Sequence, residues 1–223
     1  MARRPQPKGT CYFCQKQYAK GGLTRHLKSC AARRSANTAA KGKSQTLYHL
    51  RASEAHGAPF WLDLEVRSAA KLADIDSYLR TIWLECCGHL SCFAVERWGD
   101  ELAMGGKVGA IFSRLGGAVH QYDFGSTSET VIQVMGTREG VPLSKHPIYL
   151  MARNNMPDAP CIECGEQAEF MCIECVYEDD ENGYLCAKHV DAHPHDEYGE
   201  PQELLNSPRV GMCGALMGDQ PPY

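Results

Sequence analysis

Twelve Cys and His side chains fall into two groups with metal-ligand spacing. One is Cys11-x2-Cys14 followed by His26-x3-Cys30; the other runs Cys161-x2-Cys164, Cys172-x2-Cys175, Cys186-x2-His189, then His193 and His195. A tight knuckle turn brings two ligands spaced this way onto one ion, and mixed thiolate and imidazole ligands suit zinc. Cys11, Cys14, His26 and Cys30 make one tetrahedral set. The other eight make two more, so about three zinc ions are expected. Sets closed by four protein ligands are structural, and no hydrolytic zinc is expected. Only seven residues separate Cys164 from Cys172, which favours an interleaved, B-box-like cross-brace. Cys161 and Cys164 would share an ion with Cys186 and His189, and Cys172 and Cys175 with His193 and His195. Pro194 lies between the last two, and Cys213 is their substitute.

The elements that must position these ligands are small. In residues 9–30, Tyr18 plugs a knuckle, and Leu23, His26, Leu27 and Cys30 recur at i, i+3, i+4, i+7, one face of a helix. Metal binding supplies the folding energy of a unit this size. Residues 31–46 are small, polar and basic, and read as a flexible linker. Residues 47–153 carry a core of order β-β-α-β-α-β-β-β. Phe60, Leu62, Leu64 and Val66 alternate as a half-buried strand, and Leu47–Ala52 is its partner. Ser68 caps a helix striped by Leu72, Ile75, Leu79, Ile82 and Trp83; Val108, Ile111, Phe112 and Leu115 form a second. Further strands are expected at Leu90–Val95, Ala118–Phe124, Thr130–Met135 and Ile148–Ala152. The fold class is α+β: an N-terminal ββα-type finger, a mostly antiparallel sheet with packed helices, a Cys/His-rich module over 158–214 and a tail over 215–223.

Charge is divided unevenly along the 223 residues. Residues 1–45 hold eleven Lys or Arg and no Asp or Glu, whereas residues 154–223 hold two basic and fifteen acidic residues. A basic arm attracts polyanions, and an acidic segment repels them. Helical phase leaves Arg25 and Lys28 exposed; with Lys20, Arg33 and Arg34 they form the expected nucleic-acid contact. The acidic module is expected to hold a protein partner. No run approaches the roughly 20 apolar residues of a membrane span. Twelve Cys without a secretory signal point to a reducing, cytoplasmic setting.

The core resembles the plasmid pRiA4b ORF-3-like family, also labelled the TnpR passenger family. The likeness rests on Tyr48-His-Leu-Arg-Ala, Pro59-Phe-Trp61-Leu-Asp-Leu-Glu-Val, Leu72-Ala-Asp-Ile-Asp-Ser-Tyr-Leu79, Cys87-Gly-His89-Leu-Ser-Cys-Phe93 and Val119-His-Gln-Tyr122-Asp123-Phe124-Gly125. Asn206-Ser-Pro-Arg209-Val-Gly211-Met-Cys213-Gly214 resembles a segment of members with a zinc-rich tail. The chain departs from the common pattern at Trp61-Leu-Asp and Ser126-Thr-Ser. The resemblance implies a fold and the company of bacterial mobile elements, not a reaction. No Ser sits in the Arg-rich context that a serine recombinase requires.

Other clusters read more simply as structure. Cys86, Cys87, His89 and Cys92 form a dense group that is either a metal site or small core residues. His120 and Tyr122 share a strand face, and Asp123 before Phe124-Gly125 reads as a turn carboxylate. Neither Gly105-Gly106 nor Gly116-Gly117 belongs to a Gly-x4-Gly-Lys-[Ser/Thr] phosphate loop. Glu178-Asp179-Asp180-Glu181 lacks the alternation of a calcium loop. The expected function is that of a non-enzymatic, zinc-binding accessory or regulatory protein. The alternatives are a protein-interaction adaptor and an enzyme acting on nucleic acid through the core.

Overall fold

The computed structural model describes residues 7–84, 88–178, 182–195, 197–212 and 220–223. Strands β1 (Lys8–Cys11) and β2 (Gln17–Ala19) form a hairpin, followed by helices α1 (Lys20–Ser29) and α2 (Ala31–Ala39). The core then runs β3 (Gln45–Glu54), β4 (Trp61–Arg67), α3 (Leu72–Leu79) continuing into a π-helical turn at Arg80–Leu84, β5 (Ser91–Ala94), β6 (Glu101–Leu102), α4 (Val108–Phe112), β7 (Gly117–Tyr122), β8 (Ser128–Gly140) and β9 (Ile148–Asn154). The α+β class and the predicted element order agree with this, with the short β6 added.

The sheet order is β2-β1-β9-β4-β3-β8-β7-β5-β6, and every pairing is antiparallel. One face carries Leu50, Ala52, Leu62, Leu64 and Val66. It packs on Leu72, Ile75 and Leu79 of α3 and on Ile82 and Trp83 of the following turn. The helix starts at Leu72 rather than at a Ser68 cap, because the Asp74 carboxylate accepts from the Lys71 N–H at 2.7 Å and fixes the first turn there.

Two sequence expectations change. First, residues 31–46 are not a flexible linker: Ala31–Ala39 is helical. Alanine has the highest helix propensity, and Arg33 anchors the helix by donating to the Leu27 carbonyl at 3.0 Å and to Glu65 at 3.1 Å. Second, β4 is buried on both faces, not half-buried. Its polar face lies under the N-terminal unit, where Lys20 stands 5.7 Å over the Trp61 ring and Arg33 pairs with Glu65. Strand β1 pairs with β9 through Gly9↔Asn154, Thr10↔Arg153 and Cys11↔Ala152, so this unit continues the core sheet.

Strand β8 runs well beyond the predicted Thr130–Met135 because it pairs along the whole of β3. A bulge lets His49 face Gly136 and Leu50 face Val134, with Met135 as the extra residue.

The C-terminal module contains β10 (Phe170–Met171), α5 (Ile173–Tyr177), β11 (Tyr184–Leu185) and β12 (Gln202–Glu203), with strand order β11-β10-β12. Residues 206–209 then return to the core. Asn206 accepts from the Asn154 side-chain amide and donates to the Asn154 main-chain carbonyl, Ser207 donates to the Trp83 carbonyl, and Arg209 donates to Asp123.

Candidate metal centres

The first centre is built by the hairpin and α1. Gln15 takes a positive φ of 59° at the knuckle, where its N–H donates to the Cys11 carbonyl at 2.8 Å. That turn carries Cys11 and Cys14 to the buried face of α1, which presents His26 one helical turn before Cys30. Cys14 Sγ lies 3.2 Å from His26 Nε2, and Tyr18 stacks on the imidazole at 4.2 Å. Leu23, Leu27 and the β9 residues Met151 and Ala152 pack around it.

The other two centres interleave. Cys161, Cys164, Cys186 and His189 form one group, and Cys172, Cys175, His193 and His195 the other. In the former, Cys164 and Cys186 sulfurs are 3.8 Å apart, and His189 Nδ1 lies 3.6 Å from Cys161 and 3.4 Å from Cys186. In the latter, Cys175 lies 3.2 Å from His193 Nε2 and 3.3 Å from His195 Nδ1. Gly183, at φ +64°, packs so closely on Cys172 that an added Cβ would sit 2.3 Å from its carbonyl oxygen. This tight packing brings the two knuckles together.

All twelve candidate ligands therefore converge in three sets of four, with ligand atoms within 4.8 Å of one another in each. A tetrahedral ion about 2.3 Å from sulfur and 2.0–2.1 Å from nitrogen spaces its ligands about 3.4–3.8 Å apart. The close pairs lie 3.2–3.8 Å apart and all ligand atoms of a set within 4.8 Å, so each set could hold one metal ion. The local fields differ between the sets. Burial pushes the Cys11 thiol up to about 11, so a nearby cation is needed to ionise it at neutral pH. Burial also raises Cys161, but N–H groups of Cys186, Cys164 and Glu163 outweigh it and bring that thiol down to about 6.

The remaining candidates separate. Among the described residues, neither His89 nor Cys92 joins a metal-capable group; His89 lies 3.6 Å from Asp123, and the Cys92 thiol faces Gln121. Cys86, Cys87 and Cys213 lie outside the described residues, as do Asp179, Asp180 and Glu181 of the acidic run. His120 is fully buried and bonds Asp76 at 2.7 Å. Asp123, at φ +63°, accepts from the N–H groups of Gly125 and Ser126, which makes it the expected turn carboxylate. Of the basic residues expected to contact nucleic acid, Arg25, Lys28 and Arg34 are exposed. Lys20 and Arg33 are instead committed to Trp61 and Glu65, because the N-terminal unit lies on the sheet.

Three polar clusters escaped the sequence reading. Asp63 accepts from His49 at 2.7 Å and from Arg51 at 2.7 and 3.2 Å. Glu65 accepts from Arg33 and Arg138. Arg209 is buried against Asp123. Cross-strand register was the available signal for the first, since Arg51 stands directly opposite Asp63.

No family model and no curated protein matches the chain. A solved structure similar to it is that of MM3350, a protein of unknown function from Methanosarcina mazei Go1. The two are 16% identical, with a TM-score of 0.40, over 48% of this chain and 67% of that one.

Proposed function

We propose that this is a zinc-stabilised accessory protein of the pRiA4b ORF-3-like type, which contacts nucleic acid through its N-terminal unit and a protein through its C-terminal module. The observation that carries this reading is the convergence of twelve ligands into three closed sets of four. A closed tetrahedral set has no position for substrate or reactive water, so zinc here organises structure instead of chemistry. Arg25, Lys28 and Arg34 supply exposed positive charge beside the first set. Their interaction with phosphates is electrostatic and independent of sequence. On the C-terminal module, Tyr177 and Tyr198 are exposed and stacked, with ring centroids 6.4 Å apart, on a strongly acidic surface. Exposed tyrosines of this kind favour a protein contact. The company of mobile elements rests on the sequence resemblance alone.

Metal analysis of protein never exposed to chelator tests the first part, with three zinc ions per chain expected; less than about one would refute it. A titration with DNA and RNA at several salt concentrations tests the second. Affinity should fall with salt, and Arg25→Ala/Lys28→Ala should weaken binding to all sequences while flattening the slope. Undetectable binding at low salt favours the adaptor alternative.

A further inference from the structure

A cleft of about 360 Å³ opens between the α1–α2 pair and the sheet. Lys28, Arg34 and Asn37 line it from the helices, and Arg138, Thr137 and His49 from the strands. Met135 adds a partly exposed apolar side chain above Leu27 and Leu47, which are each 1% exposed. The volume is at the small end of ligand sites, roughly 300–1,000 Å³, which suits one small polar ligand.

The charge balance indicates what kind of ligand. Lys28, Arg33, Arg34 and Arg138 line the cleft against the single carboxylate of Glu65. That carboxylate is already used: Arg33 holds Oε2 at 3.1 Å, and Arg138 holds Oε2 at 2.8 Å and Oε1 at 2.7 Å. Neither Lys28 nor Arg34 has a carboxylate partner among the described residues. The cleft therefore holds a surplus of positive charge that an anion would neutralise.

Two further observations favour a specific ligand over a generally basic surface. Arg33 Nε and Asn37 Oδ1 are buried without a hydrogen-bond partner among the described residues, although buried polar groups are nearly always satisfied. The β8 bulge also lies in the cleft wall. Gly136, at φ +151°, has no atom within 4 Å of the position its Cβ would take, so the wall stays open there. Bulges recur beside functional sites.

We propose that this cleft seats one phosphorylated nucleoside, presented either by a nucleic-acid strand or as a free mononucleotide. Lys28 and Arg34 neutralise the phosphate, within the field of Arg138. Met135 offers the base its apolar contact, and Asn37 Oδ1 accepts from an exocyclic amine. The strand form rests on the nucleic-acid reading above; the free-nucleotide form does not.

The test uses full-length, zinc-loaded protein. AMP and adenosine are titrated by calorimetry, and a labelled short oligoadenylate by anisotropy at low salt. The variants are Arg34→Glu and Asn37→Leu in the cleft and Arg25→Ala on the outer face, with the exposed, remote Arg114→Ala as control, and thermal melts establish that each is folded. AMP should bind saturably and adenosine should not. Arg34→Glu and Asn37→Leu should each weaken AMP or oligoadenylate binding by about tenfold or more, and the control Arg114→Ala should leave both affinities within about twofold. AMP affinity lost in both cleft variants, with no oligoadenylate binding by wild type, supports the free-nucleotide form and removes the nucleic-acid reading. The site is overturned if both cleft variants bind every probe as wild type does, or if no probe binds. If Arg25→Ala alone weakens oligoadenylate binding, the outer-face reading survives and the cleft is rejected.

Discussion

Replacing Arg209 by Met should cost about 3–5 kcal/mol, because it leaves one partner of a buried ion pair behind. Arg209 has no exposed surface. Its Nη2 donates to Asp123, and its Nη1 donates to the Ser126 carbonyl at 3.0 Å and to Ser128 Oγ at 2.8 Å. Its guanidinium lies 4.8 Å from the Tyr122 ring, and Arg80 lies at the same distance. Methionine fills much of the volume but offers no donor. Asp123 Oδ1 keeps the N–H groups of Gly125 and Ser126, whereas Oδ2 keeps, among the described residues, only His89 at 3.6 Å. With a urea dependence of about 2–3 kcal/mol per molar, the unfolding midpoint should fall by about 1–2.5 M. Asp123→Asn/Arg209→Met should recover much of the loss by removing the stranded charge. A midpoint shift below about 0.3 M for the single variant, or a double variant no more stable than the single, would refute the reasoning.

Three further outcomes follow from the geometry. Gly9→Ala places a Cβ 2.4 Å from the Arg153 carbonyl oxygen and 2.9 Å from Trp61, and should cost about 1–3 kcal/mol in chemical melts. Gly21→Ala meets no atom within 4 Å in α1 and should gain up to about 1 kcal/mol; equal effects of the two would contradict the close β1–β9 seam. Burial holds His120 below its usual 6.5; hydrogen bonds from His120, Ser91 and Arg80 outweigh burial and hold Asp76 at about 2. Both groups bind protons more readily when unfolded, so their stability contributions fall in acid, from about pH 6.5 downward for His120 and between about 4 and 2 for Asp76. His120→Gln should therefore flatten the stability curve between pH 6.5 and 5 relative to wild type, and parallel curves would count against a neutral buried His120. Chelation should shift tryptophan fluorescence to the red, because Trp61 is 1% exposed beneath Lys20 and Gly9 of the N-terminal unit; an unchanged spectrum on metal-free protein would count against metal-dependent packing.

The three Cys/His groups were legible because their information is local: two pairs and their intervening length fix a knuckle, whatever the rest of the chain does. The core strands were legible for a similar reason, since Leu62, Leu64 and Val66 alternate against Leu50 and Ala52. The second face of that sheet was not. Asp63 and Glu65 alternate with the apolar residues, and in one sequence a solvated face and a face covered by another unit read alike. The roles of Arg33 and Arg209 depend on residues far along the chain, Glu65 and Asp123. A charge count treats a buried, paired cation and a solvated one as the same. Residues 31–46 misled because a basic, alanine-rich segment reads as a tether until tertiary anchoring gives its helix a partner.

The pairing of β1 with β9 has a temporal consequence. Thr10 Oγ1 donates to Asn155, 145 residues later in the chain. At about 5–20 residues per second, a ribosome emits those residues over about 7–30 s. During that interval the first four ligands can already close on an ion, while the β1 edge waits for the strand it will join. An exposed strand edge is a template for unwanted pairing. The edge is short, at four residues, and a hairpin locked by a metal ion would leave it few alternatives during synthesis. The first metal centre would thus act during biosynthesis as well as in the finished protein, guarding an unpaired edge until β9 emerges.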